Sequence, residues 1–285
     1  MPQPPLRSYP LQNPPVPFRA REPRYDFDAR EFGILTTAGV LGTLLVLPYA
    51  LTVQAPLLHK VTLPLPLGPL VVVQMAQNAF FIAIAVGLGL IFAWRCALGA
   101  PLLEEWLAGK PLSGDLKRLF GTAALAGIVS SLVIIGLDAW LFVPHLPKLA
   151  DAGTVSPPVW QGFLASFYGG ITEELLLRLG VMSFLAWLAG KASHDAQGIP
   201  TVGAFWLANV LAAALFGLGH LPATAALMPL TRLVVTRAVV LNGVPGIVFG
   251  WLYWKRGLEP AMAAHFSADL VLHVLLPAVP QWFHS

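Results

Sequence analysis

Glu173 and Glu174 stand side by side in a stretch, Phe163 to Arg178, that otherwise reads as membrane-spanning helix. A carboxylate in hydrocarbon costs at least about 2.5–3.5 kcal/mol on insertion scales, so an intramembrane ionisable cluster marks a functional site by default. Adjacent helix residues point about 100° apart, so the two acids do different jobs. Arg178 follows Glu174 by four residues, the favourable order for an i,i+4 pair. That pairing neutralises Glu174 and leaves Glu173 free to face a cavity. Gly169 and Gly170, one turn earlier, allow another helix or a substrate backbone to come close.

Two further patterns lie in later apolar runs. Phe216-Gly-Leu-Gly-His220 puts Phe216 and His220 on one face of a helix thinned by Gly217 and Gly219. His265-Phe-Ser-Ala-Asp269 is a second i,i+4 pair, and His273 extends its face by another turn in a structural or interfacial role. A carboxylate base, two imidazoles and a further acid are the parts needed to hydrolyse a peptide bond. The glutamate takes a proton from water, and the histidines position the water, protonate the leaving amine or stabilise the oxyanion. The set of Glu173, His220 and His265 also has the composition of a three-ligand zinc site. No His-Glu-x-x-His run is present, so the expected chemistry is metal-free and cofactor-free, with zinc on those three residues as its alternative.

The elements that must position these groups are long apolar helices. The chain has 285 residues, 56% hydrophobic and 11% charged, with a mean hydropathy of +0.72. A soluble domain carries about 25% charged residues. The expectation is an all-α polytopic transmembrane bundle of about seven spans. The first runs from Gly33 to Val53, the second from Leu70 to Trp94, and the third from Leu119 to Val143. The fourth starts near Val159, carries the glutamate pair and is followed by a further apolar piece, Val181 to Ala189. The last three run from Val202 to His220, Leu233 to Trp254 and Ala261 to Leu276. Pro222 is expected to close the fifth. Asp138, in the third, is assigned a structural or helix-end role, and Cys96, the sole cysteine, follows Arg95 at a helix end and is expected to be an ordinary thiol at the membrane interface.

Residues 1–30 form a Pro/Arg-rich tail with no hydrophobic leader segment, expected to be disordered and cytoplasmic. Its Pro14-Pro-Val-Pro17 run fits PxxP, and solvated tail is the better reading. Arg and Lys recur in alternate connections, at Arg95 to Arg118, at Lys191, and at Lys255 with Arg256. The positive-inside rule therefore places the N-terminus inside and the C-terminus outside. The net charge of +3 reflects these loops, and no nucleic-acid partner is expected. On that orientation His220 lies late in one outward span and His265 early in another. Their convergence needs a tilted helix or a break at Gly217-Leu-Gly219.

The three patterns together, Glu173-Glu174…Arg178, Phe216…His220 and His265…Asp269, resemble the CPBP family of CAAX proteases and bacteriocin-processing proteins. The resemblance covers roughly residues 155–277. It implies an intramembrane endopeptidase acting on a membrane protein or peptide, CAAX-type substrates among the candidates, within the lipid bilayer. By carry-over, Glu173 and His220 activate the water. His265 and Asp269 stabilise the oxyanion or orient the site, and Glu174 with Arg178 is a structural pair, with Phe216 in support. The last motif ends in Asp269 where many members have Asn, and an ionised Asp is an acceptor only. Residues 31–150 are then N-terminal transmembrane helices and 151–285 the catalytic transmembrane domain, in the plasma membrane if the host is bacterial. The rival readings are a non-catalytic scaffold or immunity protein of the same family, and a proton-coupled transporter whose Glu, His and Asp relay protons.

Overall fold

Asp28 caps the first long helix, its carboxylate accepting from the Arg30 amide at 2.8 Å. In the computed structural model, which describes residues 27–58, 65–112, 114–146 and 157–278, this opens a chain that is helical almost throughout. The PxxP run and most of the N-terminal tail lie outside the described residues, as do Lys60 and Lys148.

Helices α1 (Ala29–Leu45) and α2 (Leu47–Leu58) make one apolar run, and α3 (Leu67–Arg95) returns. After the short α4 (Pro101–Leu107), α5 (Leu116–Leu137) continues into a π-helical turn, Asp138–Phe142. The glutamate-bearing run starts as α6 (Val159–Phe167), widens into π-helical turns over Tyr168–Glu173 and Leu175–Met182, and ends as α7 (Ser183–Gly190). Then come α8 (Val202–Gly219), α9 (Leu221–Leu227), α10 (Arg232–Arg256) and α11 (Leu258–Asp269). A last π-helical turn, Leu270–Leu275, leads into α12 (Leu276–Ala278). Asp115, Thr201 and Thr231 cap α5, α8 and α10 with side-chain oxygens, the residue types that satisfy the free N–H groups of a first turn.

Six of these runs are long and apolar enough to cross a membrane: Ala29–Pro56, Leu67–Arg95, Leu116–His145, Val202–Leu227, Arg232–Arg256 and Leu258–Ala278. With the glutamate-bearing run they give a polytopic bundle of roughly seven spans. Their outer faces carry Trp140, Val72, Phe80 and Leu125, single apolar side chains suited to lipid. Inside, Val86, Leu90, Leu175, Leu179, Met182 and Phe249 are buried.

Small residues set the close crossings, as they do where lipid removes any hydrophobic drive between helices. Gly127 on α5 lies against the Ala264 carbonyl of α11, and a Cβ there would collide with it. Gly217 on α8 lies against the Val239 backbone of α10, where a Cβ would come within 2.6 Å of its Cα. Gly257, at φ +97°, makes the turn from α10 into α11 in a conformation side chains rarely adopt, with Pro101 packed against it.

Three sequence expectations are corrected. Pro222 does not close the fifth run; it sits in the first turn of α9, where the missing N–H costs nothing, and the chain stays helical to Leu227. The fourth run is one continuous helical path from 159 to 190. Cys96 is wholly buried, its thiol facing the Ser183 carbonyl at 3.9 Å.

Candidate active site

The glutamate pair sits at the junction of two π-helical turns. Thr172 fixes the first turn by donating to the Gly39 carbonyl of α1 at 2.8 Å. Gly42 of α1 packs on the same threonine, where a Cβ would collide with its hydroxyl. The π turn is wider than an α turn and closes i→i+5 hydrogen bonds, a geometry frequent at functional sites. Its effect is to turn Glu173 toward a cavity and Glu174 into the protein.

Glu174 is fully buried, as is Arg178, and the pair lies at 3.4 Å in the i,i+4 relation read from the sequence. Arg178 also donates to the Gly246 carbonyl at 3.1 Å and lies over the rings of Phe216 and Phe249, at 5.4 and 5.8 Å. The other Glu174 oxygen accepts from His265 Nδ1 at 2.8 Å. Glu174 is therefore more than the arginine's partner: it orients an imidazole of another helix.

His265 is stacked on Phe249, centroids 4.6 Å apart, and meets the Phe216 edge at 5.6 Å. Its Nε2 points to Glu173 at 3.6 Å and to Asp269 at 3.8 Å. His220 is held by its own helix, with Nδ1 2.8 Å from the Phe216 carbonyl and the Phe216 ring edge-on at 4.8 Å. Its Nε2 lies 4.0 Å from the remaining Glu173 oxygen, too long for a direct hydrogen bond. The Glu173 carboxylate thus lies between two imidazoles.

The depth problem posed by straight helices is resolved by these contacts. Gly217 lies against Val239 while His265 stacks on Phe249, positions of α10 about 15 Å of helix apart. Phe216 fills the interval, and the two oxygens of Glu173 each reach one ring. The helix break stands at His220, between α8 and α9, one residue after the expected glycines.

Glu173 and His220 line a cavity of about 890 Å³, together with Tyr168, Leu176 and Leu215. Its farther walls come from α1, α2 and α3, where Thr43, Gln54, Gln74 and Asn78 are the polar members, with Pro222 and Ala223 of α9 at its rim. His265 and Asp269 stand behind Glu173 and do not line it. Asp269 packs on Gly169, where a Cβ would collide with its carboxylate. Its other oxygen lies 3.8 Å from His265 and 4.0 Å from His273, and His273 in turn contacts the Tyr49 hydroxyl at 3.3 Å.

The donor set is one that zinc accepts, but its spacing is not. Ligands about 2.0–2.1 Å from a tetrahedral zinc stand roughly 3.3 Å apart. The two imidazole–carboxylate separations here are 3.6 and 4.0 Å. Among the described residues no group of three His, Cys, Asp or Glu converges on a position fit for a metal.

Sequence reasoning missed three contributors. Phe249 is apolar and carries no motif. Tyr168 stands five residues before Glu173, about 140° away on an α-helix. Arg237, partly exposed in the sixth apolar run, pairs with Asp138 through two short contacts of 2.7 and 2.6 Å. The signal for the last was present: a lone arginine in an apolar span needs an acid, and Asp138 is the acid of the third span.

Residues 155–271 match the family described as type II CAAX prenyl endopeptidase Rce1-like. That segment is similar to the intramembrane proteases of the CPBP family. The matched segment holds Glu173, Glu174, Arg178, Phe216, His220, His265 and Asp269 and stops short of His273. Neither a curated relative nor a solved structure matches the chain. With six helices among the described residues long and apolar enough to cross a membrane, the protein is an integral, multi-pass membrane protein.

Proposed function

We propose that the protein hydrolyses a peptide bond of a membrane-associated substrate with water activated by Glu173, without a metal. The observation that carries this is the Glu173 carboxylate set between His220 and His265 at the wall of a cavity able to hold a peptide. Glu173 takes a proton from water as the water oxygen bonds to the scissile carbonyl carbon. The carbonyl π pair moves onto its oxygen. On collapse that pair re-forms the carbonyl, the C–N bond breaks, and the proton held by Glu173 passes to the leaving nitrogen.

His220 works beside Glu173 on the water. Its Nδ1–H donates to the Phe216 carbonyl, so the neutral ring offers Nε2 as an acceptor. His265 and Asp269, behind the glutamate, orient it. The apolar cavity walls fit an extended apolar segment, and the Gln54, Gln74 and Asn78 amides can satisfy backbone groups that lipid cannot. The family description makes a CAAX-type segment the first substrate to test.

The test is cleavage of a panel of membrane-anchored peptides, CAAX-type included, by purified protein in liposomes. A Glu173→Gln control runs beside it. Cleavage by the wild type alone supports the reading. A wild type that cleaves nothing while binding a partner protein leaves the scaffold role, and proton flux across the liposome leaves the transporter.

A further inference from the structure

A tetrahedral intermediate carries a negative oxygen, and the site's motif residues supply it no neutral donor. His220 spends its Nδ1–H on the Phe216 carbonyl, leaving a bare Nε2 when neutral. His265 spends its Nδ1–H on Glu174 at 2.8 Å, and its Nε2 faces the carboxylates of Glu173 and Asp269 rather than the cavity. Asp269 brings oxygens only, one of them packed on Gly169, and it does not line the cavity. Of the polar groups on the farther walls, Thr43 donates to the Gly39 carbonyl and Gln74 to Asn78.

We infer that the Tyr168 phenol is a catalytic residue, donating the hydrogen bond that stabilises the oxyanion. Tyr168 lines the cavity together with Glu173 and His220 and makes no hydrogen bond to any described residue. It opens the π-helical turn that Glu173 closes. With i→i+5 closure, residues five apart come to nearly one face, so this turn sets the phenol beside the base. An α-helix would hold them about 140° apart. The phenol keeps its proton throughout; it donates a hydrogen bond and gives up nothing. Gly169, next in sequence, leaves no side chain on the Asp269 side of the turn.

This inference rests on the hydrolysis reading, and the experiment separates the two. Wild type, Glu173→Gln and Tyr168→Phe are compared for kcat, KM and thermal stability on one cleaved peptide. Each is also tested for binding of that peptide and of its phosphinate analogue, whose tetrahedral anion mimics the intermediate. Loss of one oxyanion donor costs about 10²–10³ in kcat. Tyr168→Phe is expected to lose kcat by that factor with KM and melting unchanged. It is also expected to lose phosphinate affinity while keeping peptide affinity. Wild-type kcat and phosphinate affinity in Tyr168→Phe, with Glu173→Gln inactive, would overturn the tyrosine's role and leave the hydrolysis reading standing. A raised KM at unchanged kcat would also overturn it, marking a ground-state contact. A wild type that neither cleaves nor prefers the phosphinate overturns both.

Discussion

His265 donates from Nδ1 to Glu174 at 2.8 Å, joining α11 to a turn 91 residues earlier in the chain. The same carboxylate faces Arg178 at 3.4 Å. Glu174 therefore ties the charge at the bundle centre to the orientation of the imidazole behind Glu173. The two neighbouring acids are expected to fail differently. Glu173→Gln should fold, melt like the wild type and cleave nothing. Glu174→Gln should melt lower, since breaking a buried pair costs about 3–5 kcal/mol. It should also lose kcat, because His265 loses its charged acceptor. Melting and turnover of both variants decide this, and full activity in Glu173→Gln removes it as the base.

Gly169 supplies a geometric test. A Cβ there collides with the Asp269 carboxylate and comes within 3.0 Å of His265 Nε2. Gly169→Ala is expected to cut kcat at least tenfold by pushing α11 or Asp269 away from the turn. Gly136→Ala on α5 meets nothing within 4 Å and should leave both activity and melting unchanged. Equal turnover in the two variants would show that the packing of Asp269 against this turn does not matter to the chemistry.

Much of this was legible because lipid forbids casual charge. Glu173, Glu174, Arg178, His220, His265 and Asp269 stand out in apolar runs, and i,i+4 spacing gave the Glu174–Arg178 pair correctly. The spans were legible from hydropathy to within a few residues at most ends. What stayed hidden depended on departures from α periodicity or on distant partners. The π turns bring Tyr168 round to Glu173, and no period-3.6 reading finds that. Glu174–His265 and Asp138–Arg237 join residues 91 and 99 apart, set by helix packing and not by any local pattern. Pro222 signals a stop at a position where proline is equally suited to begin a helix.

The Asp138–Arg237 pair fastens the π-helical end of α5's run to α10, with both side chains partly exposed. Removing one partner strands a charge at lipid depth, whereas removing both does not. Asp138→Leu and Arg237→Leu are each expected to lower the melting temperature more than the double variant does. A thermal double-mutant cycle measures this, and additive single effects would show that the pair contributes no coupling.

Acid should slow the reaction. Glu173 must be ionised to take a proton and His220 neutral to accept one, so protonation of either removes the active form. The kcat/KM profile is expected to fall on the acid side, more steeply where both groups take part than where one does. Asp28, at the head of α1, does not contribute to this limb. Its hydrogen bond with the Arg30 side chain holds it down at about 2, so it stays ionised throughout. A His220→Gln variant with residual activity should show a single-group limb. An acid limb of unchanged steepness in that variant would exclude His220 from the titration.

Metal analysis decides between the two ways of activating water. With Glu173 acting alone as base, the purified protein is expected to hold far less than one zinc per chain and to cleave at full rate after exhaustive chelation. A zinc site would need neutral His220 and His265 as nitrogen donors, and substituting either with Ala would release the ion. The present spacing of 3.6 and 4.0 Å about Glu173 would then have to contract. Phe249, stacked on His265, and the Glu174 hydrogen bond both resist that movement. Elemental analysis of wild type and of His265→Ala, read beside turnover with and without chelator, gives the answer. About one zinc per chain, lost together with activity and restored with it, would reject the metal-free mechanism and leave the peptidase assignment in place.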